Sequence, residues 1–508
     1  MKPAEATVVG EGAESRAHEA AVSHAAAAGG SRPVEGDALR QALGLTTLAW
    51  VFGNVWYVTI TGAPFTLFYR AMNASPFEVG LLSAIPYLAA LISLPASLLI
   101  ERTGARRQIF FWGLYLQRGL WVVLALLPLW LMGRYGPGAA LTAFIPLFFL
   151  MHAGNAVGGP AWVSWMADVV PGRTRGKYFA RRRMWALLLA VPAAWFVGWF
   201  LDRNLPAGSD AMTTMRWCAI LFLCAAVFGL ADIVLFHAVP DVPKAPKRGE
   251  GLLRAMAGPL RDKRYLWFAA YAATLWFAVL PLQQQLYQWF LIERVGLSSR
   301  SVQVMVLVLP SLAQLLVLPV WGRACDRMGK RPLLVVATLG LVPVGLGWCF
   351  VGPGQLWVAY VLMVLGTALW TGVDLVNFNF VMEMSGSRDG NGTRGGGTAY
   401  HAVNSVILNV AAFAGGLAWG GIAQVLKDWQ WTPLAGWKTF TSFDAMFVAS
   451  GLLRLAAVAV FLPHIIEPAA KPAREALRFM GANLCTNVRN VVSLRFVRSG
   501  REAGRRAA

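Results

Sequence analysis

From about residue 43 to residue 462 the chain repeats one pattern: an apolar run of about twenty residues or more, then a short polar stretch. That length is what a helix needs to cross ~30 Å of hydrocarbon. The runs fall near 43–69, 77–100, 109–132, 139–166, 184–201 and 217–238, then near 265–292, 302–321, 333–351, 356–382, 399–426 and 443–462. A polar connector containing Pro and Lys, 239–264, divides the two sets. The pattern predicts an all-α polytopic membrane protein: twelve transmembrane helices in two pseudo-symmetric six-helix halves, 41–238 and 265–463. Residues 1–40 are rich in Ala, Gly and Glu and carry no apolar core. They read as a disordered tail and not as a signal peptide, because no hydrophobic stretch follows an early basic cluster.

Composition agrees with the pattern. Hydrophobic residues make up 57% of the 508 and charged ones 14%, too few charges for the surface of a soluble protein this long. The formal charge of +20 suggests nucleic acid until its placement is seen. The cations crowd the loops that follow even-numbered spans, such as Arg102, Arg106 and Arg107, the run 173–183, the connector, and Arg327, Lys330 and Arg331. The opposite loops hold few, Arg70, Arg134 and Arg294 among them. By the positive-inside rule both termini are expected in the cytoplasm, with the protein in the cell (inner or plasma) membrane. No nucleic-acid partner follows. The five cysteines are odd in number and lack ligand spacing, so neither a disulfide framework nor a metal site is expected, and no cofactor. The basic tail 464–508 places Leu477, Met480, Leu484, Val488 and Val491 at helical spacing. It suits a helix lying on anionic lipid, a solvated tail, or a helix packed on the adjacent loops.

The halves also repeat in detail. Residues 86–107, PYLAALISLPASLLIERTGARR, are echoed by 310–331, PSLAQLLVLPVWGRACDRMGKR. In both, two prolines sit inside an apolar run that ends in an acid–Arg pair, a Gly and further cations. An internal repeat of this kind marks a protein built of two similar halves. The spacing Gly322, Asp326, Arg327, Gly329, Arg331 resembles the signature loop of the major facilitator superfamily of secondary transporters. In the first half Ser97 and Glu101 replace the leading Gly and the Asp. A second pair of motifs, Asp168 with Arg175-Gly176 and Glu383 with Arg394-Gly395, resembles the loop that members of that family carry after helix 4. The resemblance implies twelve helices, alternating access and a gate of charged groups at the cytoplasmic end. The residues expected there are Glu101, Arg102, Arg106, Asp168, Arg175, Asp326, Arg327, Arg331, Glu383 and Arg394. Acids at helix ends facing loop arginines form charge-assisted pairs; the blander reading is that these cations only set topology.

Ionisable and amide side chains inside a span are costly, and so are candidates for function. Asn54 on span 1, His152 and Asn155 on span 4, Gln283 and Gln284 in the Gln run of span 7, and Asp374 and Asn377 on span 10 form the expected substrate-binding set. The resemblance puts spans 1, 4, 7 and 10 around the central cavity. Asp374 is the expected proton-coupling group. Arg118, Asp232 and Arg454 fall on spans that the resemblance makes peripheral, where a buried Arg118–Asp232 pair is the simpler expectation.

No nucleophile–base pair, metal cluster or phosphate-binding loop occurs at usable spacing, so an enzyme is not expected. The expected function is a proton-coupled secondary transporter of a small, sugar-like polar solute, a monomer surrounded by membrane lipids. The alternatives are a drug or metabolite efflux antiporter and a non-transporting membrane receptor on the same fold.

Overall fold

The computed structural model describes residues 36–171, 174–206, 208–242, 256–282, 284–386, 397–433, 438–465, 467 and 471–492. Among these residues, twelve helices are long and apolar enough to cross a membrane. The first six are Gly36–Ala71, Pro76–Thr103, Arg106–Tyr135, Pro137–Val169, Arg175–Asn204 and Ala211–Ala238. The second six are Lys263–Glu293, Ser299–Met328, Lys330–Phe350, Leu356–Met384, Ala399–Val425 and Ser442–His464. They are spans 1 to 12 below. Span 1 starts at Gly36, inside the stretch expected to be a tail; residues 1–35 lie outside the described set. Polar residues such as Asp37 and Arg40 extend the helix beyond its apolar run, which is all that hydropathy registers.

With an even number of spans, the described N- and C-terminal segments share one end of the bundle, here the terminal end. Both signature loops lie there, and each turns on a glycine that needs a left-handed backbone. Gly104 between spans 2 and 3 has φ 68°, and Gly329 between spans 8 and 9 has φ 88°. A side chain at either position would be strained, which explains why both copies keep Gly.

Spans 1 and 7, at corresponding places in the two halves, are both broken. Span 1 is helical over Gly36–Ile60 and again over Ala63–Ala71, with Gly62 at φ 74° between them. Span 7 passes through a 3₁₀ turn, Leu280–Leu282, before resuming at Gln284–Glu293. A broken helix inside a bilayer must find other partners for its freed backbone groups. For span 1 that partner is Gln303, fully buried at the start of span 8. Its Oε1 accepts from the Ala63 N–H at 3.0 Å, and its Nε2 donates to the Val58 carbonyl at 2.9 Å.

Spans 2 and 11 bring the halves together through small residues. A Cβ on Gly80 would lie 2.4 Å from the Gly420 Cα, and one on Gly416 would lie 2.7 Å from the Ala84 Cβ. Only glycine lets two backbones approach this closely. The contact is at the end opposite the terminal end, since span 2 enters there at Pro76. The loop between spans 11 and 12 forms a small antiparallel hairpin, Gln430–Trp431 against Phe440–Thr441.

The expected C-terminal helix is Ala473–Val492. Ala476 is fully buried, and Phe479 and Met480 pack against the core of the second half. Leu477, by contrast, is exposed. Arg327 lies 5.5 Å from the Phe479 ring. Ahead of this helix, the Glu467 carboxylate accepts from the Lys330 and Arg331 N–H groups at 2.8–3.1 Å, capping the start of span 9. The packed alternative describes these residues; the side chains of Leu484, Val488 and Val491 lie outside the described set.

Candidate functional site

The halves enclose a cavity with two lobes. The first, about 510 Å³, is lined by spans 1, 3 and 4; the second, about 340 Å³, by spans 7 to 10 and 12. Tyr57, Thr61 and Gln285 line both. Thr61 and Gln285 flank the breaks in spans 1 and 7, so the interruption of each helix is what delivers polar groups to the centre.

Three expected residues come together in the first lobe: Asn54, His152 and Asn155. Asn54 spends its amide N–H on the Trp50 carbonyl at 2.9 Å, one turn back, which leaves its own oxygen to accept. His152 meets the Phe148 ring edge-on, with ring centroids 4.6 Å apart. The Arg118–Asp232 pair forms at 3.1 Å, as expected, but it is not peripheral: Arg118 lines the lobe. Its guanidinium sits 3.5 Å from the Trp56 ring centroid and donates to Gln117 Oε1 at 2.8 Å. Gly229 makes room for this stack, since a Cβ there would come within 2.7 Å of both Arg118 and Trp56. The glycine is the reason a span 3 arginine reaches so far inward.

The second lobe carries Gln285, Gln288, Gln314, Tyr287, Trp348, Trp370 and Arg454. Gln283 lies outside the described residues, as does the side chain of Gln284. Asp374 does not line this lobe. It is half-buried one turn away on span 10, four residues on from Trp370, whose side chain does line it. Asn377, a turn further on, keeps a buried Oδ1 with no partner among the described residues. Trp370 therefore stands on the cavity wall one turn before the carboxylate.

At the terminal end two of the expected gate acids, Asp168 and Glu383, are paired, each within its own half. Arg106, first in span 3, pairs with Asp168 near the end of span 4 and donates to the Val242 carbonyl. Lys330, first in span 9, pairs with Glu383 near the end of span 10, and Arg264 joins it at 3.8 Å. The two motifs of each half thus clasp each other symmetrically. Arg175 donates to the Ala167 and Val170 carbonyls, closing its own loop. Glu101, Arg102, Asp326 and Arg327 are exposed, Arg331 is half-buried, and Arg394 lies outside the described residues. Among the described residues Glu101, Arg102, Asp326 and Arg327 form no ion pair. Instead spans 2 and 11 part at this end around a cleft of about 310 Å³, lined by Ser97, Glu101, His401 and Asn409.

The opposite end is closed by contacts across the halves. Besides Gln303, Thr66 donates to Gln288 Oε1 at 2.9 Å and Tyr69 to the Gln285 carbonyl at 3.1 Å. Asp202 accepts from the N–H groups of Ser299 and Arg300 at 2.8 and 3.2 Å, capping span 8 from the other half. Arg70 and Glu293 form an ion pair at 3.2 Å.

A family model described as the Major Facilitator Superfamily matches residues 45–416, most of the chain. The chain belongs to this superfamily. It is a membrane transporter, and not an enzyme. Solved members share its fold at low identity. A mutant form of the nucleoside transporter NupG is 13% identical, with TM-score 0.59, 85% of this chain and 100% of that chain covered. A bacterial homologue of the iron transporter ferroportin, in an inward-facing state, is 14% identical, with TM-score 0.59 and the same coverage of both chains. The xylose transporter XylE from E. coli, in an inward-open conformation, is 15% identical, with TM-score 0.55, 84% and 99% covered. No curated protein matches. The sequence singled out Asn54, His152 and Asn155, which line the first lobe, but not Gln303, Gln314 or Trp370, and it put Arg118 and Arg454 on peripheral spans although both line the cavity. Gln303 looks like an interfacial residue at a span's start, and an amphipathic indole looks like a membrane anchor. The arginines were visible as intramembrane charges, and that signal outweighs which span carries them.

Proposed function

We propose that this transporter is a secondary active one, carrying a small polar organic solute by rocking its halves about the central cavity, with Asp374 as the proton-coupling group. The observation behind this reading is the asymmetry of closure: cross-half hydrogen bonds gather at one end, while toward the other spans 2 and 11 part and a bond from Arg183 of span 5 to Gln314 Oε1 of span 8, at 2.8 Å, still crosses between the halves. That is one of the two states alternating access requires. The terminal end carries the basic loops, so it faces the cytoplasm and the conformation is inward-facing. Gln285, Gln288 and Gln314 both donate and accept, and Trp348 and Trp370 offer flat faces, a lining suited to a hydroxyl-bearing, sugar-like solute.

Asp374 lies off the lining of the second lobe, which suits coupling more than solute binding. A carboxylate inside a span is costly and so is a candidate for function. Trp370, one turn back on the same span, sets it beside the cavity wall. The test is Asp374→Asn in proteoliposomes. Gradient-driven uptake is expected to fall to the leak level, with solute exchange at equal concentrations preserved. Uptake that still follows an imposed pH gradient in the variant would remove Asp374 from this role.

A further inference from the structure

We propose that the solute carries a carboxylate, and that Arg454 is its anchor in the second lobe. This rests on the transport reading above and narrows its substrate class. Arg454 lies midway along span 12 and is 1% exposed, yet it lines the cavity. Its Nη1 donates to the Leu341 carbonyl at 3.1 Å, and its Nε has no acceptor among the described residues. No carboxylate pairs with it among those residues, and its hydrogen-bond partner is a neutral carbonyl. The first half offers a direct contrast: there the cavity arginine, Arg118, is neutralised by Asp232. A guanidinium held inside the bilayer without a counter-ion is a standing demand for one.

The site is built for that cation. A Cβ on Gly345 of span 9 would lie 3.0 Å from Arg454 Nη1, so the glycine leaves the guanidinium its berth. A single cation matches a single negative charge, and the planar fork of an arginine matches the two oxygens of a carboxylate. The glutamines nearby suit hydroxyl groups on the rest of the molecule, and Trp348 suits its apolar faces.

The test uses matched pairs of probes on the purified full-length chain: glucuronate against glucose, and benzoate against benzamide. Binding is read from quenching of tryptophan emission, because Trp348 and Trp370 line the lobe. At least one carboxylate is expected to quench saturably and about tenfold more tightly than its neutral partner. R454Q should reduce that preference to about twofold or less. G345A, which keeps the charge but crowds the guanidinium, should reduce the preference for a carboxylate over its neutral partner by about threefold. G345A decides the matter if R454Q does not fold. Equal binding within the pairs, a preference that survives R454Q, or no saturation by any carboxylate up to about 10 mM would overturn the proposal. Counterflow of the same probes in proteoliposomes separates this from the transport reading. Carboxylate binding without counterflow overturns transport and keeps the subsite. Counterflow of neutral solutes with no carboxylate preference does the reverse.

Discussion

Gln303 is a single amide that serves two backbone groups of a different half. It fills the break at Thr61–Gly62 so closely that a Cβ on Gly62 would overlap its Oε1. Gln303→Leu keeps the volume and strands the Ala63 N–H and the Val58 carbonyl away from water. Leaving such groups unpaired costs about 1–3 kcal/mol, borne mainly by the state in which the halves meet at this end. The variant is therefore expected to favour opening on that side, seen as faster labelling of a cysteine introduced near Thr66 by an impermeant reagent. Unchanged labelling would mean that other contacts hold the break. The residue scale was the least legible in the sequence. Asn54, His152 and Asn155 stood out because a polar group in mid-span is conspicuous. Gln303 and Arg454 were just as visible, but their meaning depends on a neighbour in another span, and a single sequence does not show which spans touch.

Elements were far more legible, because hydropathy reports the one property a spanning helix cannot do without. All twelve appear where the apolar runs lie, longer by several residues where polar turns continue them. The breaks in spans 1 and 7 did not show. A Gly or Pro inside an apolar run is common in membrane helices, and periodicity does not distinguish a tolerated kink from a real interruption. The contact between spans 2 and 11 was equally silent, since Gly80 lies hundreds of residues from Gly416 and Gly420. Gly80→Leu would force these helices apart, because backbone atoms of Gly416 and Gly420 already stand within 2.9 Å of a Cβ at that position. The expected outcome is a transporter that no longer seals the end opposite the termini, with solute uptake lost and exchange in proteoliposomes replaced by leak or abolished. Normal uptake by Gly80→Leu would show that this close approach is dispensable.

At the scale of the whole molecule, the repeat at 86–107 and 310–331 announced two halves, and the halves close on each other at one end. Ser97 and Ser405, on spans 2 and 11, line the cleft at the other end. In a background without native cysteines, Ser97→Cys is expected to react with an impermeant maleimide applied to the terminal face. Ser83→Cys, buried where its hydroxyl now accepts from the Gln285 N–H, should react from neither face. Equal reactivity at the two positions would contradict the conformation described here. What the motifs did not disclose is that their charges pair inside each half. Arg106 with Asp168 and Lys330 with Glu383 each lie within one half, so neither pair would have to break in the rocking cycle proposed above. Arg70 and Glu293 belong to different halves and are both partly solvated, so that cycle would have to separate them. Ionic strength thus acts unequally on the two faces: salt in the medium bathing Arg70 and Glu293 screens a bond that resists opening, while the same salt at the other face leaves the clasps moving with their own halves.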